Sequence, residues 1–272
     1  MIFKRIKIGA LKESIGHGIY NPTIYFGNVS KDQLTIIIYP KKKSDNYPSV
    51  EILIKKLSET HKIKMINSNI LFWIMLKLIN YNVVKRPIIK NLYANIYYAH
   101  RSPNNVEYGS IYEMNNAMTL MPKCKVSKED DLVFREWRLD KGIKEKYVCI
   151  FSRNSSYYDE KFKNPRNSNF LDLIPTIKML KSKGFDIVRV GRNHKDIFNE
   201  KVKDLYFDYD SFGEKNKLID VLLIKNCDFF LTCNSGINAL AFMFHKRILY
   251  YNMFPCGMRP FFKNCSYILK KY

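Results

Sequence analysis

Thr232-Cys233-Asn234-Ser235-Gly236 sets a carboxamide, a hydroxyl and a glycine between two apolar runs. A strand, a sharp polar turn and a helix start within five residues make a place where anions bind. The first N–H groups of a helix lack carbonyl partners and point outward, Ser235 adds a hydroxyl, and Gly236 lets a ligand approach the backbone. A diphosphate is the expected guest; a capped helix with no ligand is the competing reading. Arginines occupy similar places. Arg153 opens the polar stretch after YVCIFS (147–152), and Arg192, followed by Asn193, comes after FDIVRVG (185–191). A guanidinium is a fixed-charge, bidentate phosphate binder, and a structural ion pair, such as Arg153 with Asp159, is the alternative. In Pro165-Arg166-Asn167-Ser168, Asn167 or Ser168 is expected to cap the helix that follows, which brings Arg166 beside a helix N terminus.

Gly16-His17-Gly18 offers a different chemistry. An imidazole titrates near neutral pH and suits a general base, and glycines on both sides would let it face an interdomain cleft from a loop. A structural turn is the plainer reading, and Glu13 is a second candidate for the same role. The chain has no Walker-type P-loop, no G-x-G-x-x-G and no G-x-S-x-G, which leaves a P-loop NTPase, a nicotinamide enzyme and an α/β-hydrolase without support. The six cysteines form no C-x-x-C pair and the five histidines are scattered, so buried free thiols in a reducing compartment are expected, with no metal and no cofactor.

The elements that must position these residues are clearest in the C-terminal half. The run 147–152 is continuously apolar, as in a strand covered on both faces. Helical periodicity runs over 169–183 through Phe170, Leu173, Ile174, Ile177 and Leu180, with Gly184 as its cap. A strand at 185–191, a short one at 205–210 and a helix at 215–226 come next. A strand at 227–233, a helix at 236–245 and RILYYN (247–252), the last clear strand, complete the series. In the N-terminal half, LTIIIY (34–39) reads as a strand, 49–60 as a helix, 62–66 as a short strand, 69–80 as an apolar helix and 99–125 as a loop. Strands alternating with helices predict parallel sheets with right-handed crossovers. Ligands then bind outside the carboxyl ends of the strands, in the loops after 152, 191, 210, 233 and 252. The expected organisation is an α/β domain over 1–125, a bridging helix over 126–145 anchored by Leu132, Phe134 and Trp137, and a nucleotide-binding α/β domain over 146–272.

A formal charge of +21 points to an anionic partner. The Lys, Asn, Ile, Tyr and Phe content is also what AT-rich codons encode, and the lysines are dispersed with no arginine-rich stripe, so nucleic acid is disfavoured as that partner. The most apolar segment, 66–84, contains Asn67, Asn69, Lys77, Asn80 and Asn82. It is expected to be a buried helix rather than a spanning one, with an apolar face resting on an anionic membrane as the alternative. The first residues, MIFKRIKIGALKES, carry no signal peptide, and a cytoplasmic protein is expected, with peripheral contact at the inner face of the membrane.

Taken in order, IGHGIYN (15–21), YVCIFSRNSSYY (147–158), PRNSNFLDLIPTIKMLKSKGFDIVRVGR (165–192) and CDFFLTCNSGINALAFMFHKRILYYN (227–252) resemble a family of bacterial glycosyltransferases associated with surface-polysaccharide loci. Residues 22–145 align only loosely. The resemblance implies a GT-B-like architecture of two Rossmann-like domains, parallel sheets flanked by helices. It implies a nucleotide sugar held by Arg153, Arg166, Asn167, Arg192, Asn193, Asn234, Ser235 and Gly236, and a glycan or lipid-linked acceptor on the side of Gly16, His17 and Gly18. Two features depart from the family pattern. Ser152-Arg153-Asn154 stands where a His-Arg-Asp-like pattern is expected, and the sequence stops at Tyr272 soon after FFKNCSYILKKY. They keep open a degenerate, non-catalytic protein that binds a nucleotide or polyanion.

Overall fold

A computed structural model describes residues 6–11, 15–40, 47–83, 86, 92–94, 96, 119, 121–153, 164–191, 200–214, 216–254 and 263–270. The chain divides into two compact units, Met1–Lys125 and Val126–Tyr272.

The first unit is built from β1 (Ile6–Ala10), α1 (Ile15–Gly27), β2 (Leu34–Tyr39), α2 (Tyr47–Ser58), β3 (Lys62–Asn67) and α3 (Asn69–Asn80). The strands form a parallel sheet in the order β1-β2-β3, and Tyr93 bridges Ile8 on the other side of β1. On one face, Phe72, Met75 and Ile79 of α3 pack on Ala10 and Ile38. Ile37 points the other way and is also buried, so both faces of the sheet are covered. Ser68 starts α3 by accepting a hydrogen bond from the Leu71 N–H at 3.3 Å. The readings at 34–39, 62–66 and 69–80 lie within one residue of β2, β3 and α3. The strand β1 was not expected, because Lys7 interrupts its short apolar pattern. Gly16, His17 and Gly18 are not in a loop: they form the first turns of α1. Both glycines are buried.

The second unit runs α4 (Lys128–Asp140), β4 (Tyr147–Phe151), a 3-10 turn (Phe170–Leu173), α5 (Ile174–Ser182) and β5 (Asp186–Arg189). It continues with β6 (Phe207–Asp208), α6 (Lys217–Asn226), β7 (Phe230–Thr232), α7 (Asn238–Met243), β8 (Ile248–Met253) and β9 (Cys265–Leu269). All neighbours in the sheet pair in parallel, in the order β6-β5-β4-β7-β8-β9. The sheet therefore grows outward in both directions from β4 and β7. Val148 and Ile150 of β4 are buried with Phe170, Leu173, Ile177 and Leu180, and each such side chain stabilises the fold by about 1.5–3 kcal/mol. On the other face the Tyr147 hydroxyl donates to the Leu223 carbonyl at 2.8 Å. The helix α4 packs within this unit: its Trp137 ring lies edge-on to Tyr209 and Phe212, and its Asp131 pairs with Lys225.

Several local readings differ from the sequence expectation, among them the strand expected at 227–233, which contracts to β7 because Cys227 closes α6. The helix expected from 169 begins as the 3-10 turn, capped by Asn169, which accepts from the Leu171 N–H at 3.1 Å. Neither Asn167 nor Ser168 caps it, because both are hydrogen-bonded elsewhere. Pro175 then starts α5 in the first turn, where its missing N–H costs nothing. The strand at 205–210 contracts to β6, and the helix at 236–245 contracts to α7, since residues 235–237 remain a turn. Beyond RILYYN lies an unforeseen strand, β9, half-exposed at the sheet edge. Gly184 does close α5, in the left-handed region at φ 82°, with the Phe185 N–H donating back to the Leu180 carbonyl.

Candidate functional site

In an open parallel sheet the crevice for a ligand forms where the strand order reverses, outside the carboxyl ends. Here that point is β4 against β7, and the residues that follow these two strands are Ser152-Arg153 and Cys233-Asn234-Ser235-Gly236.

The two strand ends are joined directly. The Arg153 N–H donates to the Cys233 Sγ at 3.2 Å. Residues 164–168 lie across the end of β4: the Ser168 N–H donates to the Arg153 carbonyl at 2.8 Å, and the Ser152 hydroxyl donates to the Ser168 carbonyl at 2.9 Å. This fold-back brings Asn167 to Arg153, whose Nε donates to the Asn167 Oδ1 at 3.2 Å. One edge of the guanidinium is thereby oriented. Arg166 is steadied by Asn164, whose Oδ1 accepts from the Arg166 backbone N–H at 3.0 Å and from its Nε at 3.4 Å. Lys270, just past β9, donates its ammonium to the carbonyls of Pro165 at 2.8 Å and Asn167 at 2.9 Å. Three cationic side chains, Arg153, Arg166 and Lys270, are thus attached to a single short segment.

The turn after β7 is fixed from below. Asn238, fully buried, donates from Nδ2 to the Cys233 carbonyl at 2.9 Å and accepts the Thr232 hydroxyl at 2.8 Å. Asn234 donates to the Phe254 carbonyl at 3.2 Å. Beside it, Tyr251 donates its hydroxyl to the Phe151 carbonyl at 3.1 Å, and Asn252, at φ 50°, donates to the Ser168 hydroxyl at 3.4 Å. Burial pushes the Tyr251 hydroxyl well above its ordinary range, and it pushes the Cys233 thiol up against the lowering influence of the Arg153 N–H. The floor of the site is therefore uncharged at neutral pH, and the charge on it comes from the cations above.

One strand further out, Arg189 ends β5 almost wholly buried. Its Nη1 donates to Asp208 at 3.1 Å, and its guanidinium lies 4.8 Å over the Phe170 ring. Burial raises the Asp208 carboxyl against the opposing pull of Arg189. This pair ties β5 to β6. Gly191, at φ 105°, turns the chain after β5.

The structure brings together Arg153, Arg166, Asn167, Asn234, Ser235 and Gly236 in the second unit. Arg192 and Asn193 lie outside the described residues. For His17 only the backbone is described, in α1 of the first unit. With α7 only six residues long, there is no long-helix dipole at this end, and residues 234–237 form the turn that leads into it. Sequence reasoning passed over Asn238, Tyr251, Asn252 and Lys270. A lone asparagine inside the apolar run GINALAFMF was the one visible signal, because a polar side chain on a helix apolar all round must find a partner. Among the described residues no three His, Cys, Asp or Glu side chains gather as a metal site. The five described cysteines are free, four of them buried; Cys256 lies outside the described residues. A cleft of about 710 Å³ beside Phe134, Arg138 and Tyr147 sits at the amino end of β4, the end opposite to where such sheets bind ligands.

No protein-family model and no curated protein matches the chain. Solved structures do. The chain is similar to ADP-heptose LPS heptosyltransferase II from E. coli, at 13% identity over 97% of this chain and 90% of that one, with a TM-score of 0.57. It is similar to a family 9 glycosyl transferase from Veillonella parvula, at 9% identity over 97% and 86%, with a TM-score of 0.59. A third similar structure is the dodecameric, iron-containing glycosyltransferase TibC from enterotoxigenic E. coli, at 13% identity over 98% and 63%, with a TM-score of 0.53. TibC has also been solved with ADP-D-beta-D-heptose. At these identities the likeness speaks to fold: the chain has the α/β fold of these bacterial glycosyltransferases, parallel sheets flanked by helices.

Proposed function

We propose that this chain is a glycosyltransferase that takes a nucleotide sugar as donor and passes the sugar to a glycan or lipid-linked acceptor in surface-polysaccharide synthesis. The observation that carries the reading is the convergence of cationic and N–H donors at the switch point of the second sheet, in a fold shared with heptosyltransferases. Arg153, oriented by Asn167, and Arg166 would take the diphosphate together with the turn Asn234-Ser235-Gly236; Arg192 and Asn193 are assigned to the same donor side. As the acceptor oxygen bonds to the anomeric carbon, the bond to the diphosphate oxygen breaks and negative charge develops there. Positive groups held in place beforehand stabilise that charge. His17 is the proposed base for the acceptor hydroxyl in an inverting reaction, with Gly16 and Gly18 on the acceptor side. The ADP-heptose complex of TibC supports trying ADP-sugars first. The same reading assigns the protein to the cytoplasm.

The test is a panel of ADP-, UDP- and GDP-sugars with glycan acceptors, with release of the nucleoside diphosphate as the readout. Release is expected with at least one donor. His17→Ala should slow it by about a hundredfold or more while nucleotide binding persists. Absence of both binding and release across the panel would sink the proposal. Binding with no release under any acceptor would favour the non-catalytic alternative.

A further inference from the structure

The helix α3 is apolar on both faces. Phe72, Met75 and Ile79 pack on the sheet, yet Ile70, Trp73 and Ile74 stand outward, 74%, 63% and 48% exposed, and Tyr81, just past the helix, is 77% exposed. Positions 70, 73, 74, 77 and 81 follow the i, i+3, i+4, i+7, i+11 spacing and make one stripe. The outer face of a surface helix ordinarily carries charge, and a contiguous apolar patch in its place marks a contact with something else.

The surrounding charge says with what. Lys77 stands within the stripe. In the sheet register Leu34 pairs with Lys62, Ile36 with Lys64 and Ile38 with Ile66. Because Ile38 is on the side that α3 covers, Lys62 and Lys64 project from that same side, and both are exposed; Lys62 also pairs with Asp32 at 3.6 Å at the surface, an exposed pair that is worth little and leaves the ammonium accessible. Aliphatic side chains, a tryptophan and a tyrosine flanked by lysines make up the composition of a helix lying in the headgroup layer of a bilayer. Rings settle at the headgroup level, and lysine stems reach up to the phosphates.

We infer that α3 docks this face flat on an anionic lipid surface. A second copy of the chain fits less well, since pairing through the stripe would bury Lys77 between chains that each carry +21. Crossing the bilayer is outside its reach: among the described residues no helix is long and apolar enough to do so. The inference stands on the first unit alone and does not rest on the glycosyltransferase reading.

Sedimentation with vesicles tests it, comparing phosphatidylcholine alone with phosphatidylcholine plus phosphatidylglycerol at about 0.15 M salt. The protein is expected to bind the anionic vesicles at least about tenfold more tightly than the neutral ones. The variant Ile70→Ser/Trp73→Ser/Ile74→Ser should lose about tenfold or more of that binding, and Lys62→Glu/Lys64→Glu should lose most of its dependence on phosphatidylglycerol. Anionic vesicles should also shift tryptophan fluorescence to the blue in the parent protein and not in Trp73→Phe. These side chains are exposed, and circular dichroism with nucleotide calorimetry on the same samples separates loss of docking from loss of fold or donor binding. No sedimentation with anionic vesicles overturns the inference. So does unchanged binding in both multiple variants, or a parent dimer that the triple serine variant converts to monomer.

Discussion

Asn238 sits in the apolar helix α7 and uses both ends of its carboxamide on the strand before it, bonding the Cys233 carbonyl and the Thr232 hydroxyl. Those bonds hold the start of the turn 234–237 that follows β7. Replacing Asn238 with Leu would remove both bonds and leave the Thr232 hydroxyl and the Cys233 carbonyl only their mutual contact at 3.0 Å, a cost of about 1–3 kcal/mol. Urea denaturation should show that loss, and nucleotide affinity should fall with it because the turn relaxes. A variant as stable as the parent would mean that the turn is held by something else. Arg153 has a different task. Its backbone N–H joins β4 to β7 through Cys233, so substitution of the side chain leaves that link intact. This lets the guanidinium be removed without dismantling the site.

Among the elements, β1 shows how closely backbone can approach backbone. The Ile8 N–H donates to the Leu92 carbonyl at 2.6 Å, and the Ala94 N–H donates to the Ile8 carbonyl at 2.8 Å. A Cβ on Gly9 would overlap the Ala94 carbonyl oxygen. Gly9→Ala should therefore cost about 1–3 kcal/mol through forced backbone shifts, visible as a lower denaturation midpoint; an unchanged midpoint would show that residues 92–94 yield freely. Glycine in a short strand gave no hint of this, because the partner lies 85 residues further along the chain. The same limit governs what was legible elsewhere. Continuous apolar runs disclosed β2, β4, β7, β8 and the apolar helix α3, and a 3.6-residue period disclosed α2, α5 and α6, since those patterns are local. The strand order β6-β5-β4-β7-β8-β9, and with it the switch point, depends on pairing between distant segments. So does the reach of Lys270 back to Pro165 and Asn167. The expected caps at Asn167 and Ser168 failed for a related reason: long-range bonds to Arg153, Ser152 and Asn252 took those groups first.

At the scale of the molecule, two parallel-sheet units share one strongly basic chain. The second unit places its cations at the carboxyl ends of the strands, where an open sheet receives a ligand, while the first unit turns an apolar stripe and lysines outward. Under the proposed function and the inferred docking, one charge excess would serve two anionic partners of different kinds, a diphosphate and a lipid surface. The proposed function stands or falls on the first of these. Titration calorimetry with ADP, UDP and GDP tests it most directly, using the parent protein, Arg153→Ala, and Arg135→Ala beside the cleft at the amino end of β4. The account predicts that at least one of these nucleotides binds the parent. Arg153→Ala should weaken it by about ten- to a hundredfold, as loss of a hydrogen bond to a charged group does, and Arg135→Ala should leave it unchanged. The account is contradicted if none of the three nucleotides binds the parent, or if Arg153→Ala and Arg135→Ala bind alike.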